Sequence, residues 1–487
     1  MPSSDSKHAE EPAVAEARDA VRALFPDQII TSSSPGYAVA QKSFWNAVQR
    51  EKEPGCFFQP TSAEQVAKAL VEVVRAQCPF AIKGGGHSSN AEGCSVQGGF
   101  QFDLCKLDHV TIAEDRKTVR VGPGMRWGDL FTFLERHGLT TVGGRDANVG
   151  VPGFIFGGGL SYHSTQYGWG IDNLVSADIV TANGDLLTVD RTSHSDLHRA
   201  LRGGGAHNFG IVTSLTLKVF PYQGMWGGYH AVTEEHFDSL FKAYDNYTKN
   251  LVQEGTAHMI VDFYRQDGIM TAVHFMGYPK PINNPPIYDE IRRIPSVANT
   301  LRLASYRDLA EEMRVVTFTG DRRNAYWTFS MEYDIDLLKS VYSLWAQRTE
   351  PYAERFHFAF DVNHITPMMR NKSAREGIPN MYALEGADEP LTNILLTCTW
   401  EHKADDAQVR TILAELGAAL EGVAAASGKS RTFKYMNYAH QQQDVIGGFG
   451  KTNKAFLKEV AAEYDPDGVF QKLQRSGFKL DRPAPKI

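Results

Sequence analysis

The chain has 487 residues, and its 50 Lys and Arg against 57 Asp and Glu give a formal net charge of −7. This mild acidity argues against a nucleic-acid partner bound through a broad basic surface, and 42% hydrophobic residues are typical of an ordinary globular protein. No apolar run reaches the length of about 20 residues that spans a bilayer, so we expect no membrane partner.

Two features of the sequence bear on its compartment. Residues 1–19 are polar and acidic and lack the apolar segment of a secretory signal. The cysteines are scattered without a CxxC pair or a dense framework; they are Cys56, Cys78, Cys94, Cys105 and Cys398. Both features favour reduced thiols, and we therefore expect a cytoplasmic or otherwise intracellular protein.

In the first half of the chain, helical patterns alternate with short β patterns. Thr61 and Ser62, followed by Glu64 and Gln65, form a capping signal that predicts the start of a helix. Other helices are predicted at 15–24, 126–137 and 196–201. Strands are predicted at 80–82, 100–104, 110–112, 118–121, 177–181, 186–189 and 210–219, with Asn183-Gly184 as a hairpin turn.

The composition changes between about 222 and 430, where glycine-rich loops disappear and aromatic residues become more frequent. Alternating segments at 259–264 and 270–276 flank Gln266-Asp-Gly268 and predict an antiparallel hairpin. Further strands are predicted at 326–333, 356–362 and 394–400, and a long amphipathic helix at 405–426. This pattern predicts an α+β domain built on an antiparallel sheet.

Glycine clusters are the main chemical signal of the first half; they are Gly84–Gly86, Gly143-Gly144, Gly157–Gly159 and Gly203–Gly205. Each could be an ordinary turn, but glycine runs have a conformational-entropy cost, and several of them favour backbone lying close against a ligand. Consecutive backbone N–H groups can bind a pyrophosphate, and Lys83 would add positive charge. The pattern favours a phosphate-bearing cofactor.

Several familiar motifs fail on inspection. There is no G-x-G-x-x-G loop for a dinucleotide. Gly428-Lys-Ser430 and Gly450-Lys-Thr452 lack the first glycine of a phosphate-binding P-loop. His194 and His198 have metal-ligand spacing, but neither the Glu of a zinc protease motif nor a third ligand stands nearby, so we expect no metal.

A longer set of motifs occurs in a fixed order along the chain. It comprises Lys83-Gly-Gly-Gly-His87-Ser88, Gly122-Pro-Gly-Met-Arg-Trp-Gly-Asp129, Gly150-Val-Pro-Gly-Phe-Ile-Phe-Gly-Gly-Gly159, Tyr167-Gly-Trp-Gly-Ile-Asp-Asn173, Leu201-Arg-Gly-Gly-Gly-Ala-His-Asn-Phe-Gly-Ile-Val212, Tyr435-Met-Asn-Tyr438 and Tyr464-Asp-Pro466. The set resembles the FAD-linked oxidases of the vanillyl-alcohol oxidase superfamily, in particular fungal members of the berberine-bridge-enzyme-like branch that serve secondary metabolism.

The resemblance implies an α+β architecture with a two-subdomain PCMH-type FAD-binding domain. The second domain would bind substrate on an antiparallel sheet covered by helices. The implied division is an N-terminal extension at 1–53, the FAD-binding domain at 54–222, the substrate-binding domain at 223–433, and a C-terminal segment at 434–487 that returns to the FAD-binding domain.

The resemblance also implies FAD covalently bonded through its 8α-methyl carbon to His87; without it, a loop histidine that binds phosphate or water would be the favoured interpretation. Some relatives carry a second link through a Cys at the position of Asp146, so we expect a single link here. The remaining cofactor-binding residues implied are Lys83, Gly84, Gly85, Gly86, Ser88, Gly144, Asp146, Val149, Gly150, Gly153, Gly157, Gly210, Ile211 and Asn437.

Catalytic residues are expected in the Tyr-x-Asn-Tyr motif, as Tyr435, Asn437 and Tyr438. If this segment is a strand, Tyr435 and Asn437 share one face and Tyr438 takes the other. A tyrosine there could accept a substrate proton, and we expect at least one of the two only to pack or to hydrogen-bond the flavin. Weaker candidates for the pocket wall are His357, Asp361 and His364.

The leading functional hypothesis is an FAD-dependent oxidase that takes a hydride from an alcohol, amine or activated C–H group of a small or medium-sized molecule. In the family, a small residue such as Val149 goes with oxygen access to the flavin, so O₂ is the expected acceptor and H₂O₂ the product. The alternatives are a cyclase or pericyclase on the same scaffold and a flavin-holding protein without turnover. The aromatic residues Tyr264, Phe275, Tyr326, Trp327 and Trp400 suit an apolar substrate or an ordinary core.

Overall fold

The computed structural model describes residues 11–266, 268–317, 321–386 and 388–481. The first part of this range forms a four-stranded sheet. Its strands, in spatial order, are Ile29–Ile30, Cys56–Phe58, Phe100–Asp103 and Phe80–Lys83. Cys56–Phe58 and Phe80–Lys83 both run parallel to Phe100–Asp103. Helices Pro12–Leu24 and Ala63–Arg75 share a buried apolar cluster with this sheet, so that one face of the sheet is covered.

A second, antiparallel sheet follows along the chain. Its strands, in spatial order, are Val110–Ile112, Thr118–Val121, Ile211–Lys218, Leu174–Val180 and Leu186–Val189. The helices that pack against it in one apolar cluster are Trp127–Glu135, Val151–Phe156, Ser195–Gly204 and Lys451–Tyr464. Shorter elements of the same half are Tyr37–Lys42, Ala47–Arg50, Leu139–Thr140, Ser164–Tyr167 and Phe220–Pro221.

The predicted elements of the first half are present with shifted ends. The capping signal opens the helix at Ala63, because the Ser62 hydroxyl accepts a hydrogen bond of 3.3 Å from the Gln65 N–H. The turn at Asn183-Gly184 joins two antiparallel strands, as predicted. Residues 1–10, on which part of the compartment prediction rests, lie outside the described residues. Within the described residues, no helix is long and apolar enough to cross a membrane.

The second half of the chain forms a large antiparallel sheet. Its strands, in spatial order, are Ala298–Asn299, Met225–Thr233, Ile269–Tyr278, His258–Gln266, His357–Ile365, Leu391–Trp400, Arg323–Glu332 and Ser430–Arg431, and Arg302–Ala304 also pairs with Met225–Thr233. The predicted hairpin is confirmed, although Asp267 in its turn lies outside the described residues. Helices Phe237–Glu254, Ile335–Thr349 and Asp406–Ala426 cover one face. Asp289–Arg292, Tyr306–Val316 and Pro367–Arg375 are further helices of this half.

The two faces of the large sheet differ because side chains alternate along each strand. On the strand His357–Ile365, Phe358 and Phe360 join the apolar cluster under the helices. Ala359 and Asp361 instead point to the opposite face, where they line a cavity. The sheet therefore separates its own core from a binding surface.

The tail of the chain returns to the first sheet. Gln474 forms a parallel bridge with Phe80, and the ring of Phe470 meets that of Phe80 edge-on at 6.0 Å. The short helix Val469–Lys472 contributes to the same apolar cluster as the sheet. The first and last parts of the chain thus pack together around the strand that precedes Gly84.

Candidate functional site

A cavity of about 570 Å³ lies between the glycine loops of the first half and the exposed face of the large sheet. Glycines line one side; they are Gly84, Gly85, Gly86, Gly144, Gly150, Gly153, Gly157, Gly205 and Gly210. The same side holds His87, Ser88, Asp146 and Val149. The opposite wall comes from the sheet and mixes apolar side chains with polar ones; Ile260, Phe275, Tyr326, Ala359 and Leu395 stand there beside Asn324, His357, Thr397 and Thr399. Most of the predicted cofactor residues are therefore brought to one wall.

The glycine loop after Phe80–Lys83 is built for close approach of two backbones. A Cβ atom on Gly85 would overlap the backbone of Gly150, and one on Gly84 would stand 2.8 Å from Cγ of Pro152. Gly86 has φ +72°, in the left-handed region that side chains other than glycine rarely adopt. Glycine is therefore required in this loop by the protein's own packing. Because these residues have no side chains, their backbone groups face the cavity.

Lys83 and Ile211 do not line the cavity among the described residues, so the expectation that Lys83 adds charge there is wrong. The Lys83 ammonium lies 2.8 Å from Asp103 Oδ1, and both side chains are almost fully buried. Ile211 is buried in the apolar cluster of the first sheet and pairs with Val180. Lys83 is held by its carboxylate partner, and Ile211 by core packing.

We expect Lys83→Met to destabilise the fold. It leaves the Asp103 carboxylate buried without a cation, which costs about 3–5 kcal/mol of unfolding free energy. Urea unfolding of the variant checks this value. The double variant Lys83→Met/Asp103→Leu should recover most of the loss; an unchanged midpoint in the single variant would contradict the interpretation.

His87 follows the glycine loop and faces the cavity with an unusual environment. Its ring stacks on Trp45, with centroids 4.5 Å apart and planes at 16°. Its Nε2 is buried, has no hydrogen-bond partner within the described chain, and lies 3.8 Å from Asp146 Oδ2. Burial lowers the pKa of His87 and outweighs Asp146, which raises it; Arg126 adds to the lowering. The imidazole is therefore neutral, nucleophilic and unsatisfied, which fits a residue that bonds a cofactor.

Asp146 and Val149 form the cavity wall next to His87. The Asp146 carboxylate accepts the backbone N–H of Asn148 at Oδ1 and the Thr317 hydroxyl at Oδ2, both at 2.7 Å. The Val149 carbonyl accepts the N–H of Trp127 at 3.0 Å, which ties this loop to the helix Trp127–Glu135. The carboxylate is thus held in place beside the imidazole.

The segment from Tyr435 to Tyr438 is a 3₁₀ turn and not a strand, so the predicted division of faces is wrong. The Tyr438 N–H donates to the Tyr435 carbonyl at 2.9 Å and closes the turn. As a result, both tyrosine rings approach each other edge-on, with centroids 4.7 Å apart. Tyr435, Asn437 and Tyr438 all line the cavity.

Tyr435 anchors a neighbouring glycine loop. Its hydroxyl accepts the backbone N–H groups of Gly159 at 3.1 Å and Leu160 at 3.0 Å. Asn437 Nδ2 lies 3.1 Å from the same hydroxyl and also donates to the Phe154 carbonyl at 3.0 Å. A Cβ atom on Gly157 would overlap the Asn437 side-chain amide. Tyr435 and Asn437 therefore shape the cofactor wall.

Tyr438 has a partner that the sequence did not reveal. Arg145, itself buried, donates from Nη2 to the Tyr438 hydroxyl at 2.6 Å. Its Nη1 lies 3.0 Å from Asn363 Oδ1 and 2.8 Å from His258 Nε2. Burial raises the pKa of Tyr438, and Arg145 opposes that rise. Because Arg145 donates to the phenol oxygen, the Tyr438 O–H is left to donate into the cavity.

Two carboxylates face the cavity from the large sheet. Asp262 and Asp361 are directly opposite on adjacent strands, and Asp262 Oδ1 is buried without a hydrogen-bond partner in the described chain. Burial raises the pKa of Asp262 to about 7. Burial and the charge of Asp262 raise the pKa of Asp361, while Arg145 lowers it. Carboxyl groups whose pKa values are raised in this way can both accept and return a proton.

The weaker pocket predictions divide by strand periodicity. His357 and Asp361 line the cavity, whereas His364 lies on the opposite face and stacks on Tyr244 with centroids 4.9 Å apart. His364 is therefore a core residue. Of the aromatic candidates, Phe275 and Tyr326 line the cavity. The others pack elsewhere: Trp327 and Trp400 in the core under the helices, and Tyr264 beside a small apolar cluster.

Comparison with known proteins shows which family this chain is similar to. A family model described as an FAD binding domain matches residues 54–190. The chain is 32% identical over 458 residues to the FAD-dependent monooxygenase tpcD of Cochliobolus heterostrophus, covering 90% of this chain and 87% of that protein. It is 32% identical over 472 residues to the FAD-dependent monooxygenase sdcF of Emericella nidulans, covering 94% and 96%.

Solved structures share the fold. 6-Hydroxy-D-nicotine oxidase from Arthrobacter nicotinovorans superposes with a TM-score of 0.77 at 19% identity, covering 93% of this chain and 97% of that one. Berberine bridge enzyme from Eschscholzia californica gives a TM-score of 0.76 at 15% identity, covering 95% and 99%. The architecture is therefore that of PCMH-type proteins, with an FAD-binding domain beside a second domain built on an antiparallel sheet covered by helices, as the resemblance implies.

Proposed function

Because this chain belongs to the FAD-linked oxidoreductases of the berberine-bridge-enzyme-like branch, we propose that it oxidises a small or medium-sized organic molecule by hydride transfer to bound FAD. The observation that carries the proposal is one cavity with two unlike walls. Glycine loops and an unsatisfied histidine form the first wall, and a sheet face of mixed apolar and polar side chains with paired carboxylates forms the second. Bound FAD would supply the hydride acceptor.

On the first wall, the chain's residues bind and fix the cofactor. Backbone groups of Gly84–Gly86 face the cavity and suit a pyrophosphate, and His87 provides a single covalent link. Tyr435 and Asn437 hold the loop at Gly157–Leu160 in position through their hydrogen bonds. We infer that these contacts set the cofactor's position and that Tyr435 does not itself exchange protons.

On the second wall, the residues handle the substrate and its proton. The Asp262–Asp361 pair is the proton acceptor, because both carboxyls face the cavity and burial raises the pKa of Asp262 to about 7 and also raises that of Asp361. Tyr438 donates a hydrogen bond to the substrate's polar group, since Arg145 occupies its oxygen. Ile260, Phe275 and Tyr326 exclude water and favour an apolar substrate body. In this proposal the carboxylate pair accepts the substrate proton, in place of the tyrosine expected from the sequence.

The test is a screen of the purified holoenzyme with aromatic and allylic alcohols and cyclic amines. Peroxidase-coupled detection should show H₂O₂ equal to product for at least one compound, with Val149 in the wall permitting O₂ access. The same compound should bleach the flavin absorbance under anaerobic conditions. Product formed without O₂ and without bleaching would instead support a cyclase.

The names of the relatives support a second candidate, a monooxygenase. A monooxygenase places one atom of O₂ in its product and releases no stoichiometric peroxide. Turnover under ¹⁸O₂ separates the two candidates: unlabelled product with one equivalent of H₂O₂ supports the oxidase, and labelled product supports the monooxygenase.

We expect His87→Ala to remove the covalent link. After acid precipitation, flavin fluorescence should stay with the wild-type chain on a denaturing gel and disappear from the variant. Ser88→Ala, which changes the neighbouring side chain but keeps the imidazole, is the matched control. Flavin that washes out of the wild type would refute covalent attachment; fluorescence retained by the variant would show that another residue carries it.

A further inference from the structure

We propose that Asp146 is the proton acceptor that assists attachment of FAD to His87. The inference rests on the covalent link put forward in the proposed function. The carrying observation is the facing pair itself: Nε2 of His87 lies 3.8 Å from Asp146 Oδ2, is buried, and has no hydrogen-bond partner in the described chain. The site of modification thus contains its own base.

The imidazole is held in one orientation. Trp45 stacks against the His87 ring, and its backbone N–H donates to the Gly86 carbonyl at 2.9 Å, which ties the indole to the loop that carries His87. Trp45 is only 7% exposed. With the ring plane fixed and Nε2 directed to Asp146, Nδ1 is the nitrogen left for the cofactor.

The Asp146 carboxylate is also held in place, and it can still accept a further hydrogen bond. Asn148 donates to Oδ1 and Thr317 to Oδ2, each at 2.7 Å. A carboxylate oxygen accepts more than one hydrogen bond, so Oδ2 can also accept the imidazole N–H. The present 3.8 Å is longer than a hydrogen bond, and such contacts in a site without its ligand shorten when the reacting complex forms.

The electrostatic surroundings of His87 favour the neutral imidazole. Burial is the main factor that lowers the pKa of His87, and the Arg126 guanidinium acts in the same direction. A neutral imidazole has a free lone pair, whereas an imidazolium has none. Asp146 opposes the lowering, as a carboxylate poised to share the imidazole proton does.

The reaction balances with O₂ as the oxidant. A bond forms between Nδ1 of His87 and the 8α carbon of FAD, and the 8α-methyl group loses one hydrogen as a proton. The imidazole loses its Nε2 proton to Asp146, which passes it on. The electron pair released enters the flavin ring together with the two protons. O₂ then takes up both electrons and both protons and leaves as H₂O₂.

The test compares Asp146→Asn with Asp146→Glu and the wild type. Asp129→Asn is the matched control, because Asp129 also interacts with Arg126 but is exposed on the helix Trp127–Glu135 and does not line the cavity. Covalent flavin is read from gel fluorescence after acid denaturation, and non-covalent FAD from the supernatant. Neither readout depends on turnover.

We expect Asp146→Asn to hold at least tenfold less covalent flavin, with released FAD making up the total, while Asp129→Asn matches the wild type. Asp146→Glu should restore part of the covalent fraction. Wild-type levels of covalent flavin in Asp146→Asn would overturn this inference alone. A wild type without covalent flavin would overturn the covalent link as well. If Asp146→Asn binds no flavin, Asp146→Glu decides: covalent flavin supports the inference, and none overturns it.

Discussion

Asp361→Asn is expected to lower kcat for substrate oxidation by about 10²- to 10⁴-fold, the range for loss of a positioned general base. The amide keeps the size of the side chain but accepts no proton. Asp361 faces the cavity opposite Asp262, and burial together with the charge of Asp262 raises its pKa. The measurement is kcat on a substrate found by the peroxide screen, with flavin content per chain as the normalisation.

The same pair predicts a pH dependence. The rate should fall as the pH drops through the raised pKa values of the pair, because the protonated carboxyls no longer accept a proton. Asp262→Asn should move this limb to lower pH, because it removes the neighbouring charge that raises the pKa of Asp361; Arg145 remains as the cation that lowers it. A limb unmoved in this variant, or near-normal kcat in Asp361→Asn, would contradict a carboxylate base.

Asp262→Asn also has an expected effect on stability. The folded protein holds this proton more tightly than the unfolded chain, because burial raises the pKa from 3.8 to about 7. The unfolding free energy of the wild type therefore declines as the pH rises through this interval. Above it, the buried charge of Asp262 destabilises the folded state. The variant should unfold at higher urea than the wild type at pH 8, with the difference disappearing at pH 4.

Tyr438→Phe is the second large expected effect: kcat should fall about 10²-fold, the low end of the effect of removing one hydrogen-bond donor aimed at the reacting group. The variant removes the O–H that faces the cavity and leaves Nη2 of Arg145 without this acceptor, which lies at 2.6 Å in the wild type. Single-turnover flavin reduction by substrate is the measurement, because it isolates the step before O₂.

Tyr435→Phe is the matched control within the same turn. It leaves the Gly159 and Leu160 N–H groups without their shared acceptor, so about 1–3 kcal/mol of unfolding free energy should be lost. Its flavin-loaded fraction should be reduced by substrate at close to the wild-type rate. Equal rate losses in both variants would show that the two tyrosines act together, and the division of roles would then be wrong.

The features predictable from sequence are those encoded locally. The helix after Ser62 depends on neighbours in the chain, and it is present as expected. The hairpin of the large sheet was also visible in its alternating pattern. Asp262 had a readable signal as well: it is a charged residue in the apolar strand His258–Gln266, on the same face as Ile260.

The features that escaped prediction depend on tertiary contact. Arg145 reaches His258, Asn363 and Tyr438, which lie far away in sequence and meet only in the fold. The sequence does not show that Lys83 pairs with Asp103, because this carboxylate belongs to another strand of the sheet. The sequence left the conformation of Tyr435–Tyr438 open, because it gives no sign of the backbone hydrogen bond that closes the turn.

The return of the tail to Phe80 has a consequence for synthesis on the ribosome. The strand Phe80–Lys83 is made early, but Phe470 and Gln474, which complete its surroundings, emerge only after the entire large sheet. At ~5–20 residues per second, the interval is roughly 20–80 s. During that time the part of Phe80 that Phe470 covers lacks its final partner and is open to chaperones. Because Ser476 and Phe478 line the cavity, the cofactor site is likewise completed only once this tail has been made.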